Sequence, residues 1–196
     1  VINEIMYRPG TGLPERTGDE FIEIHNPDAQ PVDAGGWRFT TGIDFTIPAG
    51  RIIPANGYLV VCANLTDFQA KYPGVTSVIG NWTGTLANSG EKITLVDAAG
   101  VVVDQVEYAD EGDWATRVRE PSFGGWDWAT LADGGGRSLE LRQPLLSNNN
   151  GQNWTPGAAA NGTPGTANSN ASANIAPLIK DVHHTPAVPR STENVV

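Results

Sequence analysis

Cysteine, histidine and positive charge are all scarce in this chain, and each scarcity removes a class of function. The single cysteine, Cys62, rules out an internal disulfide. It sits in LVVCAN with no basic residue beside it to stabilise a thiolate, so it reads as a small buried apolar residue. Only three histidines are present, His25, His183 and His184, and the adjacent pair lies far along the chain from the first. No serine or cysteine stands in a nucleophile-elbow context. Phosphate-loop glycines, a dinucleotide glycine pattern and zinc-ligand spacing are also missing, which leaves an enzyme without parts. Lys and Arg number 12 against 22 Asp and Glu, and they are scattered singly. A net charge of -10 without a basic stripe argues against a phosphate-backbone partner, because that binding runs on clustered cations and counterion release. Nor does any apolar run approach the roughly 18 residues that a membrane span requires.

What the chain has in abundance is turns. Its 23 glycines and 14 prolines punctuate short runs in which apolar and polar residues alternate. In residues 20–26, EFIEIHN, Ile22 and Ile24 fall on one face. Trp37 and Phe39 do the same in WRF, and Phe45 and Ile47 in FTI, before Pro48-Ala49-Gly50 stops the strand. Residues 51–53 and 58–63 form a further extended pair around the turn Pro54-Ala55-Asn56-Gly57. EKITLVD and residues 101–108 read as a hairpin across Asp97 to Gly100, and SLELR, residues 138–142, as the last clear strand. One short helix is expected, capped by Thr66 or Asp67, with Phe68 and Tyr72 on one face and Pro73 at its end, forming a lid over a sheet edge. The pattern is that of an all-β, antiparallel β-sandwich with a core on Ile22, Ile24, Trp37, Phe39 and Ile47. From Ser147 onward Asn, Gly, Ala, Thr and Pro dominate. Such a coil-rich region orders only by docking on the sandwich.

Three motif groups resemble the lamin-tail domain, an immunoglobulin-like β-sandwich. The first is Ile2-Asn3-Glu4-Ile5 with residues 20–26. The second is Gly36-Trp37 with Phe39, followed by Phe45-Thr46-Ile47-Pro48-Ala49-Gly50, Gly57-Tyr58-Leu59-Val60-Val61 and Asn88-Ser89-Gly90-Glu91. The third, Asn153-Trp154 with residues 162–168, is similar to the ending of the form found in exported bacterial proteins. The resemblance spans residues 1–168 and implies a non-catalytic interaction or structural module of a larger secreted or cell-surface protein. Its partners would be neighbouring domains of the same polypeptide, or a protein or polysaccharide. Rod heptads, a basic targeting segment and a lipidation motif are absent, so a nuclear scaffold role does not carry over. Residues 169–177 read as a linker, and residues 178–196 as the opening of a second immunoglobulin-like or fibronectin-like module.

Two candidate sites emerge. Residues 109–136 form an irregular excursion holding Trp114, Trp126 and Trp128 with Asp127, and Trp82 lies in another loop. These rings suit a platform on which sugars stack, with polar groups reading hydroxyls; equally, they suit seals for the open ends of the sandwich. Solvent exposure distinguishes the two. For a divalent cation, calcium being the natural choice for carboxylate oxygens, the candidate pools are Glu4 with Asp19, Glu20 and Glu23, and the loop carrying Asp110, Glu111 and Asp113; neither matches a helix-loop-helix calcium loop. The competing role for Glu4 and Glu23 is to accept hydrogen bonds from turn backbone or to pair with Arg8 or Arg38.

Overall fold

The computed structural model describes residues 1–10, 14–122 and 124–179. In chain order its strands are β1 (Ile2–Met6), β2 (Phe21–His25), β3 (Val32–Asp33), β4 (Arg38–Thr41), β5 (Phe45–Thr46), β6 (Ile52–Ile53) and β7 (Tyr58–Cys62). After helix α1 (Leu65–Lys71) come β8 (Val78–Gly80), β9 (Gly90–Val96), β10 (Val102–Ala109), β11 (Thr116–Glu120), β12 (Gly125–Ala129), β13 (Leu139–Leu141) and β14 (Trp154–Pro156).

Two sheets face one another. The larger runs β14-β13-β1-β2-β7-β8 and the smaller β10-β9-β4-β5. Between them lies the main core, which includes Ile22, Ile24, Phe39 and Ile47, with Trp37 packed against it half-buried. The all-β sandwich expected from the alternation is therefore the fold. All its pairings are antiparallel except β7 with β8, which run parallel. A parallel neighbour needs a crossover, and α1 is that crossover.

The strand pattern shows why the helix is where it is. Along β7, Leu59 and Val61 enter the main core while Val60 and Cys62 point to the opposite face. There they join Met6, Phe21 and Phe68 in a second apolar cluster, with Tyr72 at its margin. The large sheet is thus buried on both faces, and LVVC reads as an unbroken apolar run for that reason. Helix α1 covers this outer face rather than lidding an edge. Its cap is Asn64, whose side chain accepts from the Thr66 and Asp67 amides, so the sequence placed the cap two or three residues late.

Other expectations need adjustment. β6 and β7 are neighbours in sequence only: β6 pairs with β3, and β7 with β2 and β8. β14 follows SLELR as one more strand, paired to β13. The hairpin across Asp97 to Gly100 forms as expected, with Gly100 at φ +87° and the Asp97 carboxylate accepting from the Val101 amide.

The rest of the outer face is covered by coil. Residues 157–173 lie across β1, β2 and β13 as a strap, and the ladder supplies its anchors. Register slips between Ile2 and Glu4, a bulge that turns Asn3 and Glu4 together to the outer face. Hydrogen bonds to the domain continue through the stretch read as linker, with the Ser172 amide on the Arg142 carbonyl and Gln143 on the Ala173 carbonyl. The expected second module falls, apart from residues 178–179, outside the described residues.

Phe68→Ala empties the centre of the second cluster, where the ring meets Phe21 edge-on at 5.7 Å and Tyr72 at 4.6 Å. A loss of about 3–5 kcal/mol is expected. Urea denaturation checks it: the midpoint should fall with the slope unchanged.

Candidate binding face and the carboxylates beneath the strap

Residues 109–136 are more regular than their sequence implies. Thr116–Glu120 and Gly125–Ala129 pair as a five-by-five antiparallel hairpin. Its turn is closed by the Gly124 amide on the Glu120 carbonyl, with Gly124 in the left-handed region at φ +69°. The register sets Arg117 opposite Trp128, Val118 opposite Asp127 and Arg119 opposite Trp126. Because side chains alternate, Arg117, Arg119, Trp126 and Trp128 share one face, and Thr116, Val118, Glu120 and Asp127 share the other.

Trp126 is 57% exposed and Trp128 40%. The Arg117 guanidinium carbon lies 5.4 Å from the Trp126 ring centre and 6.0 Å from that of Trp128, within range of both π faces. Among the described residues the ion pairs are Arg8–Asp133, Arg16–Asp19 and Lys71–Asp19, so neither hairpin arginine is tied to a carboxylate.

The four residues proposed as a ligand set are not gathered at one point. Trp126 and Trp128 come together, Asp127 faces away from them, and Trp114 sits at the root of the hairpin in the short 3-10 turn Gly112–Trp114. There its ring packs against Trp154 at 5.9 Å, tilted by 36°, and borders a solvent-open cleft of about 790 Å³, lined also by Glu111, Asp113, Asn149 and Gln152. Trp82 is a core residue, 7% exposed. The tryptophans therefore divide: Trp82 and Trp154 fill the interior, Trp114 bridges, and Trp126 and Trp128 meet solvent. Arg117 and Arg119 escaped the sequence reading. The alternation TRVRE facing GWDWA was their only signal, and it becomes meaningful only once the register is known.

The acidic pool is likewise divided. Glu4 and Glu23 lie side by side on the outer face, where the Thr163 amide donates to Glu4 at 2.8 Å and the Gly165 amide to Glu23 at 2.6 Å. Asn3 donates to the other oxygen of Glu23 at 2.9 Å. Glu140, beside them on β13, accepts from Ser169 at 2.7 Å and from the Asn170 amide. Among the described residues neither Glu4 nor Glu23 pairs with an arginine; Arg8 goes to Asp133. Glu20 faces the sandwich interior and accepts from the Leu86 amide, while Asp19 binds Arg16 and Lys71. Among the described residues no three His, Cys, Asp or Glu side chains form a cluster able to hold a metal ion. The strap approaches the carboxylates so closely that any side chain at Gly162 is strained: it sits at φ +69°, and a Cβ there would run into Glu4 and the Ser138 hydroxyl.

Burial raises the affinity of these acids for protons. Glu4 is pushed up to about 7, chiefly by desolvation, with the charge of Glu140 adding to it. Glu23 rises to about 8 by desolvation and then by the neighbouring Glu4, and Glu20 to about 8, again chiefly by desolvation. Burial also pushes the Cys62 thiol up to about 12, which fits an inert packing role.

This geometry belongs to a known class. Two facing sheets that enclose a packed core make an immunoglobulin-like β-sandwich, a fold used by interaction and structural domains. The chain matches the Lamin Tail Domain family over residues 1–110, and it belongs to that family. Neither the curated proteins nor the solved structures returned a match. No helix of the described residues is long and apolar enough to cross a membrane.

Two outcomes follow. Because the native pKa values of Glu4, Glu20 and Glu23 lie above the unfolded value near 4.5, the native state holds protons that the unfolded chain has already released between about pH 4.5 and 8. Stability is greatest at the acid end of that window and falls as pH rises through it. Calorimetry should show Tm declining from pH 5 to pH 8.5, at roughly 2–4 °C per kcal/mol, and Glu23→Gln should flatten the decline. Separately, Trp154→Ala should cost about 3–5 kcal/mol. Trp126→Ala and Trp128→Ala, which lose only a cross-strand partner, should each cost less than about 1 kcal/mol in the same denaturation assay.

Proposed function

We propose that this domain is a non-catalytic interaction module of a larger, multidomain secreted or cell-surface protein, and that the β11–β12 hairpin is its contact element. One observation supports the reading above the others: two tryptophans, 57% and 40% exposed, stand on a hairpin that has solvent on both faces. A two-stranded ribbon is marginal by itself, and exposed rings contribute nothing to the core. Their position serves a partner. The acidic charge of the whole suits an extracellular setting, where it favours solubility and disfavours adventitious association with nucleic acid.

A second reading rests on the same exposure. Side-by-side, solvent-facing indole rings are the arrangement on which sugar rings stack, so the hairpin also supports a role in carrying an attached catalytic domain to a polysaccharide.

The first reading is tested by fractionating the source cells and probing with an antibody raised against the domain. The expected signal is a polypeptide much larger than 20.8 kDa in the medium or in the protease-accessible surface fraction. A cytosolic signal overturns it, as does turnover of ester, glycoside or phosphodiester substrates by the purified domain.

A further inference from the structure

The hairpin face is cationic as well as aromatic, and it belongs to a protein whose net charge is -10. Two of the 12 basic residues stand here with one residue between them, on the same face as both exposed indoles, while the acids of the same hairpin, Glu120 and Asp127, project from the opposite face. We propose that the face formed by Arg117, Arg119, Trp126 and Trp128 binds an acidic polysaccharide, its sugar rings stacked on the two indoles and its carboxylates held by the two guanidiniums. The inference rests on the second reading above and supplies the chemical class of the ligand.

Three features of the face carry this. Trp126 and Trp128 are successive residues on one side of a strand, hence about 7 Å apart, on the scale of one sugar unit. The Arg117 guanidinium lies within cation–π range of both rings, which holds its charge beside them while its planar fork of N–H donors remains available to a ligand. It is thereby kept close to a sugar on the indoles, where a carboxylate can be met bidentately with less side-chain entropy to lose. Neither arginine has an internal carboxylate partner among the described residues, so an external one meets no competition. A neutral glycan would leave both guanidiniums unused. Two cations also make a poor site for a nucleic acid, whose affinity accumulates over many phosphates. An acidic peptide would use the arginines and leave the sugar-sized spacing of the rings unread.

The test is affinity electrophoresis and calorimetry on the whole chain with polygalacturonate, its fully methyl-esterified form, poly-L-glutamate and a single-stranded oligonucleotide. Polygalacturonate should bind, weaken with salt, and be preferred at least about tenfold over the neutral ester, as expected when charged hydrogen bonds are lost. Arg117→Gln with Arg119→Gln should remove that preference, and Arg117→Lys should lose part of the affinity although the charge stays. Trp126→Ala with Trp128→Ala should abolish binding of both polymers, while a cooperative unfolding transition with Tm lowered by no more than about 8 °C shows that the fold persists. Equal binding of acid and ester, lost in the tryptophan variants, overturns the acidic specificity but leaves the sugar-stacking reading standing. Absence of binding to either polymer overturns both. Binding of poly-L-glutamate or the oligonucleotide as tight as that of polygalacturonate shows a face that reads charge alone, and overturns the proposal.

Discussion

Burial of the six-stranded sheet on both of its faces is the constraint from which the rest of this architecture follows. A sandwich needs to bury only one face of each sheet, yet β1, β2 and β7 direct apolar or hydrogen-bonded side chains to both. The outer face therefore requires a cover, and the chain provides two of different chemistry. Over β2 and β7 the cover is α1, an apolar patch centred on Phe68. Over β1 and β13 it is a polar coil, which packs only because Glu4, Glu23 and Glu140 accept the backbone and side-chain donors of residues 163–170. A coil so poor in apolar residues has little hydrophobic gain to offset its ordering entropy. Buried carboxylates supply what is missing, at the cost of desolvating themselves, and their raised proton affinity records that cost.

The hairpin obeys the opposite logic. Its side chains meet solvent on both faces, and it is held to the body through its root, where Trp114 rests on Trp154. Under the function proposed above, stability and recognition fall to different parts of the chain. The sandwich, helix and strap make the packed body, and the hairpin stands outside its core with exposed rings and guanidiniums. Exposed residues of such a hairpin can vary without disturbing the fold, the usual relation between a scaffold and its loops.

Much of the sandwich was legible beforehand. Ile22, Ile24, Phe39 and Ile47 are in the core because a period of two survives wherever one face is buried. The turn at Asp97 to Gly100 was legible because glycine alone takes its φ cheaply. The helix existed where expected, but its cap was misplaced because Asn64, Thr66 and Asp67 are all competent caps, and the choice depends on where the strand before it ends. Asn64 also precedes the apolar positions that reach the second cluster, and that cluster is invisible without the sheet. For the acids, residue type disclosed that oxygen ligands were present. It did not disclose that strap amides already occupied Glu4 and Glu23, since those donors lie more than a hundred residues away.

The amino-acid sequence by itself determined the class of fold, the family, the inert setting of Cys62 and the poverty of catalytic groups, because these depend on local alternation, turn chemistry and composition. Tertiary structure alone decided which tryptophans are filler and which are displayed, which carboxylates share a face, and that Arg117 lies against Trp126 and Trp128. Those are matters of register and of contact between distant segments. A shift of one residue in either strand of the hairpin would have sent the same arginines and rings to opposite sides.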